Sequence, residues 1–522
     1  MEESLFTDTD KKQIEALGKS LKEVSHQIET FKRGVPYLKL NRPCTVGDGI
    51  QSLSNDEAGK LISLYNKTAK KKRLLKFVPA SGAASRMFKT LLSFNKKYDV
   101  IERKSILYKA EKKDKDSIQM ISFMDGIRDF AFYETLKSVM KKDGLNADGL
   151  IEKGQFKDII SSLLTEKGLN YSQMPKGLLI FHKYNDTVRT AFEEHLVEAT
   201  GYIKDQNGTC SLHFTVSPHY IEKFESLIES IGPRYERNYG VRYKVDFSFQ
   251  ERSTDTLAVD MKNRPFRLND GSILFRPGGH GALIENLNRA QGNIIFIKNI
   301  DNVVPDRLKG HTLEWEKVLG GYLIRTQEKI FSYLEQFQRR SDDEALFNEA
   351  LDFAKTELGA LFPVSKESIS AQTKREYLIK KLNRPIRVCA MVQNVGEPGG
   401  GPFWVTSRDG GLSVQIVEKA QVDPESEEQQ RILDSSTHFN PVDMVCGVHD
   451  WQGKPFELKR FVDPEAMLIS MKSKEGRDLK AIELPGLWNG AMSDWNTVFI
   501  EVPLITFNPV KTINDLLRKE HR

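Results

Sequence analysis

The sequence predicts an α/β protein with a mostly parallel mixed sheet, a helical insertion and a strand-rich C-terminal part. From Gly177 to Ile297, short apolar runs alternate with stretches of helical periodicity, which is the pattern of a sheet covered by helices on both faces. Residues 95–174 are highly charged and carry apolar residues at helical spacing, without strand alternation. From Pro385 onward, apolar strands are separated by glycine-rich turns.

The first elements are predicted from apolar spacing. A helix is expected over residues 9–34, because apolar residues recur along one face: Ile14, Leu17, Leu21, Val24 and Ile28. A shorter helix is expected over residues 56–67. Residues 74–78 are an apolar run, followed by a turn of small residues and then by a helical pattern. This order predicts a strand, a tight loop and a helix.

The alternating region continues this order along the chain. Strands are expected over residues 177–181, 211–216, 243–249, 272–275 and 293–297, and helices over residues 190–200, 219–231 and 282–290. Residues 310–358 return to long amphipathic helices, and the chain is predicted to end in a short helix over residues 511–518.

The predicted organisation has three consecutive parts. Residues 1–70 form an N-terminal helical region. Residues 71–384 form the α/β domain, with the helical insertion at about 95–174. Residues 385–522 form a strand-rich region that completes the site.

Composition and charge exclude several classes of protein. The chain has 522 residues, of which 39% are hydrophobic, so it can bury real cores and is not largely disordered. The net charge of +5 is weak evidence for binding to nucleic acid or membranes. The four cysteines are far apart and include no CxxC pair, so a reducing compartment is expected. No apolar run is long enough to cross a bilayer, and we expect a soluble, cytoplasmic protein of undetermined oligomeric state.

A loop of small residues follows the strand that ends near Val78. Residues 79–85 read Pro-Ala-Ser-Gly-Ala-Ala-Ser, and such residues let backbone N–H groups approach a phosphate at a helix N-terminus. Arg86 comes next, where a guanidinium can bind phosphate oxygens bidentately. The segment is neither a P-loop nor a dinucleotide fingerprint, and a close-packed turn explains it equally well.

Two lysines follow a proline within one or two residues. Lys176 follows Pro175 just before a predicted strand, where an ammonium can neutralise the charge that develops during phosphoryl transfer. Lys511 precedes the last predicted helix, where a cation opposes the helix dipole. That local cost favours a functional role for Lys511. The alternative for each residue is a solvated surface lysine.

Glycines surround His280 in the segment Gly278–Gly281, between a predicted strand and helix. Because glycines have no side chain, the backbone of this segment leaves room for a flat ligand. The alternative is a turn with several positive-φ residues, although such a turn needs fewer glycines.

Polar residues follow the apolar strand that ends at Ile297, namely Asn299, Asp301 and Asn302. A carboxylate at the carboxyl end of a parallel strand points into the crevice where α/β sheets bind ligands. Because Mg²⁺ takes one or two carboxylates together with phosphate oxygens and water, Asp301 is the predicted metal ligand. The alternative is an Asx turn that closes the strand.

Two further segments combine glycines with tryptophan, Glu397–Trp404 and Leu484–Met492. An indole can stack on a sugar or a base, and Glu397 and Asn489 add polar groups. Packing in a core is the more frequent role of such tryptophans.

In this order, the segments resemble the nucleotide-diphospho-sugar pyrophosphorylases, especially those that make UDP-N-acetylglucosamine and UDP-glucose. The segments that match the family's motifs are residues 81–87, Pro175-Lys176, Gly278–Gly281, Asp301-Asn302 and residues 507–511. Gln250 looks like the family glutamine that reads uracil. The whole chain is also similar to an uncharacterised bacterial family, domain of unknown function 4301 (DUF4301).

The resemblance implies a Rossmann-like, glycosyltransferase-A-type nucleotide-binding fold. It also implies an enzyme that joins an NTP, with UTP as the expected nucleotide, to a sugar 1-phosphate with Mg²⁺, giving an NDP-sugar and pyrophosphate. The implied catalytic residues are Arg86, Lys176 and Lys511, and the implied metal ligand is Asp301. The implied nucleotide-binding residues are Ala80, Ser81, Gly82, Ala83, Ser85, Gln250, Gly278, Gly279, His280 and Gly281. The candidate sugar-binding residues are Asn299, Asn302, Glu397, Trp404, Trp488 and Asn489.

The sequence departs from the family pattern at several positions. Ser81 and Ala84 stand where the pyrophosphorylases use glycine, Lys176 lies about 90 residues after the loop, and Thr512 replaces the usual asparagine. Two alternatives therefore stay open. One is a sugar-nucleotide-binding protein without catalysis, and the other is a glycosyltransferase on the same fold.

Overall fold

The structure is a computed structural model that describes residues 5–82, 84–339, 343–360, 370–396, 399–407 and 410–522. The chain forms two compact units, each of them discontinuous in sequence. The first unit comprises Met1–Leu75, Ser248–Ile297 and Glu316–Leu504, and the second comprises Lys76–Phe247, Lys298–Trp315 and Ile505–Arg522. The three consecutive parts expected from the sequence stay a prediction.

Sixteen α-helices lie in the described part of the chain. They are α1 (Asp8–Ala16), α2 (Leu21–Arg33), α3 (Asn55–Thr68), α4 (Lys89–Lys97), α5 (Arg103–Glu111), α6 (Lys115–Asp125), α7 (Tyr133–Lys142), α8 (Ala147–Glu152), α9 (Lys157–Leu164), α10 (Ala191–Ala199), α11 (Ile221–Tyr239), α12 (Ile284–Arg289), α13 (Asp306–Arg339), α14 (Glu344–Thr356), α15 (Ala371–Leu382) and α16 (Glu427–Asp434).

Nineteen strands lie in the same ranges. They are β1 (Leu40–Pro43), β2 (Thr45–Val46), β3 (Gly49–Gln51), β4 (Leu74–Pro79), β5 (Ile180–Lys183), β6 (Val188–Thr190), β7 (Thr209–Thr215), β8 (Arg242–Ser248), β9 (Thr256–Val259), β10 (Phe275–Arg276), β11 (Ile294–Lys298), β12 (Ile386–Gln393), β13 (Gly401–Thr406), β14 (Leu412–Val417), β15 (His438–Phe439), β16 (Asp443–Gly447), β17 (Leu468–Lys474), β18 (Arg477–Glu483) and β19 (Asn496–Glu501).

The first unit is built around a mostly parallel sheet with strand order β2-β3-β19-β12-β16-β11. Strands β12 and β19 are parallel, as are β19 and β3, whereas β16 runs antiparallel to β12. Smaller antiparallel sheets, β1-β13-β14 and β10-β9-β18-β17, complete the unit. The predicted α/β class with a mostly parallel mixed sheet is confirmed, as is the strand-rich C-terminal part.

The second unit contains strands β4, β7 and β8, with β4 and β7 parallel. Helices α5 to α9 form the predicted helical insertion, and their apolar faces are fully buried. Phe123, Leu136, Ile159 and Leu163 all have no exposed area. Buried apolar surface is the main favourable contribution to such packing, at roughly 25 cal/mol per Å².

The predicted single helix over residues 9–34 is wrong, because two helices occupy this range. Gly18 adopts φ +72°, which ends α1, and the Ser20 hydroxyl accepts a hydrogen bond from the Glu23 N–H at the start of α2. Glycine reaches this left-handed conformation without a Cβ clash. The apolar spacing continues across the break, because both helices bury their apolar faces in one cluster with β9.

Four other element predictions need correction. Lys176–Leu178 form a 3₁₀ turn, and the strand starts only at Ile180. Helix α11 continues to Tyr239 through an internal Pro233. Of the strand expected over residues 272–275, β10 keeps only Phe275, and the terminal helix is a 3₁₀ segment, Ile513–Leu517.

The described residues include no helix with the length and apolar character that a bilayer crossing requires.

Candidate functional site

Three segments that are distant in sequence meet in the second unit. The Lys176 ammonium donates to Asp301 Oδ2 at 2.7 Å, and the Lys511 ammonium lies 3.3 Å from the same oxygen. Lys176 also donates to the Val510 carbonyl at 2.7 Å. We call Lys176, Asp301 and Lys511 the lysine–aspartate cluster. It unites the two candidate lysines and the candidate metal ligand predicted from the sequence.

The position of Asp301 follows from the strand before it. Strand β11 is buried along its whole length, and the chain then turns through a hydrogen bond from the Asn302 N–H to the Asn299 carbonyl at 3.1 Å. The carboxylate therefore stands just beyond the carboxyl end of a buried strand, as expected for a ligand site in an α/β protein.

The C-terminal segment is tied to this turn by its backbone. The Val510 N–H donates to the Asp301 carbonyl at 3.0 Å, and the Asn508 N–H donates to Asn302 Oδ1 at 3.0 Å. Asp515 Oδ2 accepts hydrogen bonds from the N–H groups of Lys511 and Thr512 at 2.8 and 2.6 Å. These bonds fix the backbone of Lys511, whose side chain remains 41% exposed.

Charge dominates the electrostatics of the cluster. Burial alone would raise the pKa of the Asp301 carboxyl, but Lys176 and Lys511 outweigh it and the pKa is lowered. The pKa of Lys176 is lowered, because burial and the charges of Lys511 and Arg86 outweigh Asp301. Within the cluster, two ammonium groups lie against one carboxylate oxygen. An excess of positive charge of this kind favours the binding of anions.

One oxygen of the central carboxylate has no partner. Asp301 Oδ1 is buried and makes no hydrogen bond within the described residues. A buried carboxylate oxygen is costly unless something binds it. No cluster of three or more His, Cys, Asp or Glu in the described ranges is arranged to hold a metal. A single free carboxylate oxygen fits Mg²⁺ that arrives with a phosphate, since Mg²⁺ keeps several water and phosphate ligands.

The loop of small residues precedes α4. The Ala80 N–H donates to the Thr215 carbonyl at 2.9 Å, and the Ala84 N–H donates to the Met174 carbonyl at 3.1 Å. Gly82 is exposed, with open space where a Cβ would stand. Among the predicted phosphate-binding residues of this loop, Ser81 and Ser85 are exposed, and Ala83 lies outside the described residues.

Arg86 ends this loop and is exposed. It lines a cavity of about 210 Å³ together with Lys89, at the start of α4, and Thr512, which follows Lys511. The structure therefore places the predicted arginine and the C-terminal segment at one cavity.

The predicted glycine turn belongs to the first unit and packs against the segment that contains Trp488. A Cβ at Gly281 would lie 2.2 Å from the Pro485 carbonyl oxygen, and one at Gly278 would lie 2.7 Å from the Thr254 carbonyl oxygen. His280 stacks on Trp488 with ring centroids 4.2 Å apart, and burial lowers its pKa to about 4. Close packing thus accounts for these two glycines.

Most of the other predicted residues also lie in the first unit. Gln250 donates to Thr254 Oγ1 at 3.4 Å, and Trp404 is 5% exposed with its indole N–H near the Asp48 carbonyl. Asn489 donates to the Ile416 carbonyl at 3.0 Å, and Glu397 lies outside the described residues. The nucleotide and sugar contacts assigned to these residues stay predictions.

The sequence analysis missed a set of buried charges around α10 in the second unit. Glu198 accepts hydrogen bonds from Lys76 and Lys298 at 2.8 and 3.1 Å. The Glu194 carboxylate accepts a hydrogen bond from the Lys309 ammonium and contacts Nδ1 of the His182 ring. The nine residues of α10 are all buried. The sequence signal that could have indicated this set is the presence of three glutamates and a histidine in one nine-residue helix. If such a helix is buried, its charged side chains must be paired with opposite charges.

The sequence profile of a family described as domain of unknown function (DUF4301) matches residues 7–522. No curated protein matches the sequence.

Several solved structures are similar to the chain. The UDP-N-acetylglucosamine pyrophosphorylase from Trypanosoma brucei is 12% identical, with 95% of this chain and 74% of that chain covered and a TM-score of 0.46. The UDP-glucose phosphorylase from Trypanosoma brucei is 12% identical, with coverages of 97% and 77% and a TM-score of 0.41. A variant of the UDP-glucose pyrophosphorylase from Leishmania major is 11% identical, with coverages of 94% and 73% and a TM-score of 0.40. Identities of 11–12% and TM-scores of 0.40–0.46 are too low to carry an argument about function.

Proposed function

The chain belongs to the DUF4301 family, and we propose that its second unit carries the phosphate-handling site of a nucleotidyltransferase. The proposed substrates are an NTP, with UTP as the expected nucleotide, and a sugar 1-phosphate. A phosphate oxygen of the sugar attacks the α-phosphorus of the NTP. The bond from that phosphorus to the oxygen bridging to the β-phosphate breaks, which yields an NDP-sugar and pyrophosphate.

The observation that carries the proposal is the convergence of Lys176 and Lys511 on Asp301. In phosphoryl transfer, a protein contributes mainly by positioning the reactants and by neutralising the charge on the phosphate groups. Two ammonium groups held by one carboxylate are pre-organised cations, and both can turn to phosphate oxygens that replace their contacts with Asp301. In the proposal, they neutralise the α-phosphate and the sugar phosphate, and Arg86 holds the leaving pyrophosphate.

Asp301 Oδ1 is the proposed protein ligand of Mg²⁺, because it is buried and makes no hydrogen bond with any described group. When bound, the ion would neutralise phosphate charge and orient the phosphate oxygens.

A specific observation favours a second candidate, a sugar-nucleotide-binding protein without catalysis. The Ala84 N–H is already used by the Met174 carbonyl, and the Ala84 side chain has no exposed area. This amide is therefore not free to bind a triphosphate. Such a protein would bind an NDP-sugar without pyrophosphate release.

The test measures melting temperature and turnover of the purified protein with each NTP and NDP-sugar, with and without Mg²⁺. A ligand that binds only the native state raises the melting temperature by mass action. We expect Mg²⁺-dependent stabilisation by one NTP, followed by pyrophosphate release when a sugar 1-phosphate is added. Stabilisation by an NDP-sugar alone favours the binding protein, whereas transfer of the sugar from UDP-sugar to an added acceptor, with release of UDP, indicates a glycosyltransferase.

The first predicted variant is Lys176→Ala, which removes the most buried cation of the cluster. We expect pyrophosphate release to fall by about 10²- to 10³-fold, as when another charge-stabilising donor is lost. The matched control is Lys183→Ala, which removes an exposed lysine from the same unit. Turnover of Lys176→Ala at the wild-type rate would show that this role is wrong.

A further inference from the structure

The segment that carries Lys511 continues to a histidine that the proposed chemistry does not use. His521 is 3% exposed, although residues 518–520 before it are exposed or half-buried. Its Nδ1 lies 2.9 Å from Nε2 of His182 on β5, and the two rings are stacked with centroids 5.2 Å apart. His182 has no exposed area, and its Nδ1 lies 2.9 Å from Glu194 Oε1 on α10. A row of buried side chains in the second unit therefore leads from α10 to His521.

The contact between the two rings limits their charge. A hydrogen bond between imidazole nitrogens needs one donor and one acceptor, so at least one of the two rings is neutral. Burial, as the main cause, lowers the pKa of both histidines, that of His521 to about 3. The contact therefore stabilises the structure at neutral pH and is lost when both rings are protonated. The charged groups that face the pair are Arg189, Glu194, Lys309, Asp515 and Arg518.

His521 also contacts the beginning of its own segment. The Asn508 carbonyl lies near the ring, where it opposes part of the decrease in the pKa of His521. The Asn508 N–H in turn donates to Asn302 Oδ1 at 3.0 Å. Since Lys511 lies between Asn508 and His521 in the chain, the histidine closes a loop that contains this lysine. We call residues 508–521 the lysine loop.

The position of the Lys511 ammonium depends on the backbone of the lysine loop. The Lys511 side chain is 41% exposed and lies 3.3 Å from Asp301 Oδ2, and an exposed contact of this kind adds little stability by itself. The backbone is held more firmly. The Val510 N–H donates to the Asp301 carbonyl at 3.0 Å, and the Ile513 N–H donates to the Met87 carbonyl at 3.2 Å. Whatever keeps the loop closed therefore also keeps the ammonium in place.

We propose that His521 is a positioning residue for Lys511, because its contacts with His182 and Asn508 hold the lysine loop against the turn that carries Asp301. Loss of these contacts lets the loop open and moves the Lys511 ammonium away from the site. A displacement of about 1 Å near a reacting centre can lower a rate by about 10²-fold. The effect on catalysis rests on the proposed function, whereas the anchoring of the loop does not.

The first measurement is hydrogen–deuterium exchange of the full-length protein, which reports local opening and needs no substrate. His521→Ala removes both the ring and its hydrogen bond, and exchange in residues 508–513 should rise by about 10- to 100-fold. The matched control is His219→Ala, which removes an exposed histidine from the same unit and should leave this exchange unchanged. If His521→Ala does not fold, as judged by its melting curve, His521→Phe replaces it with the same expected direction, because phenylalanine keeps a ring but cannot form the hydrogen bond.

Two readouts separate this role from a general structural one. His521→Asn retains a hydrogen-bonding group near the position of Nδ1, so its exchange should stay within about threefold of the wild-type rate. In the wild type, exchange corrected for the intrinsic chemical rate should rise as the pH falls from 6.5 to about 5, by at most about tenfold per pH unit. The rise should be smaller in His521→Asn, because asparagine does not titrate.

A double-mutant cycle connects the lysine loop with turnover. His521→Ala should lower kcat for pyrophosphate release by about three- to tenfold, but by less than about twofold in a Lys511→Ala background. Equal losses in the two backgrounds overturn the positioning of Lys511. Unchanged exchange of residues 508–513 in the His521 variants overturns the proposal whether or not the protein releases pyrophosphate. If the wild type shows no release, the proposed function fails, and the exchange data alone decide the role of His521.

Discussion

Asp301 holds two ammonium groups with one carboxylate oxygen, in a site where its side chain is only 8% exposed and that of Lys176 15%. A carboxylate in this position does two things. It offsets part of the cost of burying Lys176, and it keeps both cations within reach of one point. The same residue therefore supports the stability of the second unit and, in the proposed function, holds two cations ready for phosphate.

The residue-scale prediction on stability concerns Asp301→Asn. The substitution leaves a buried ammonium without its carboxylate, and breaking such pairs typically costs about 3–5 kcal/mol. We expect the free energy of unfolding, measured with urea, to fall by about 2–4 kcal/mol, because the amide oxygen still accepts a hydrogen bond.

The matched control is Asp125→Asn, which removes an exposed pair with Arg103 at 2.8 Å. A surface pair of this kind contributes at most about 1 kcal/mol. Equal losses for the two variants would show that the cluster is not a buried electrostatic unit.

At the scale of elements, glycines have opposite effects according to their backbone conformation. Gly18 has φ +72° between α1 and α2, whereas Gly59 lies inside α3 with open space around its missing Cβ. Replacing Gly18 by alanine strains the backbone, because alanine rarely adopts positive φ, whereas replacing Gly59 by alanine favours the helical conformation of α3.

We therefore predict that Gly18→Ala destabilises the protein by about 1 kcal/mol and that Gly59→Ala stabilises it by about 0.5–1 kcal/mol. Chemical denaturation of the two variants side by side checks both signs. A gain in stability for Gly18→Ala would contradict the break between the two helices.

Helix α10 shows how an element can be wholly buried and still charged. Glu198 accepts bonds from Lys76 and Lys298, all three with almost no exposed area, and these cations outweigh burial and lower the pKa of Glu198. We predict that Glu198→Gln lowers the free energy of unfolding by about 3–5 kcal/mol, because it leaves two buried ammonium groups facing a neutral amide.

The control is Glu225→Gln on α11, an exposed position where a loss within about 0.5 kcal/mol is expected. If both variants unfold at the same urea concentration, α10 is not held by its buried charges.

At the scale of the whole molecule, buried titratable groups set the dependence of stability on pH. Burial and the nearby charges of His182 and Arg518 lower the pKa of His521 from 6.5 to about 3. Burial alone would raise the pKa of Glu194, but His182 and Lys309 outweigh it and lower the pKa from 4.5 to about 2. In both cases, the folded state binds fewer protons than the unfolded state below the ordinary pKa.

Stability is therefore greatest above pH 6.5 and falls as the pH decreases toward 3, first through His521 and then, below pH 4.5, also through Glu194. One linked proton changes the free energy of unfolding by at most about 1.4 kcal/mol per pH unit. We predict that His521 contributes a loss of about 1 kcal/mol per pH unit between pH 6 and 4.5, measured by urea unfolding. His521→Gln should reduce the slope by this amount, and the remaining slope comes from other buried histidines with a lowered pKa, such as His182 and His280. An unchanged slope in that variant would contradict the assignment.

The sequence by itself determined the α/β class, the helical insertion and the identity of the lysines and aspartate that meet in the second unit. These features are local: apolar periodicity follows from the geometry of helices and strands, and polar residues at strand ends follow from the direction of the sheet. The similarity of the whole chain to the DUF4301 family is confirmed by the profile match.

Only the tertiary structure decided which distant residues touch. Lys176 and Asp301 are 125 positions apart, and Lys511 is 210 positions from Asp301, so no local pattern can bring them within 3.3 Å. The same holds for α10, whose glutamates resemble a solvated face until buried lysines from β4 and β11 are placed against them. Contacts across the chain have free energies that depend on burial and on partner charges, and neither is a property of a sequence segment alone.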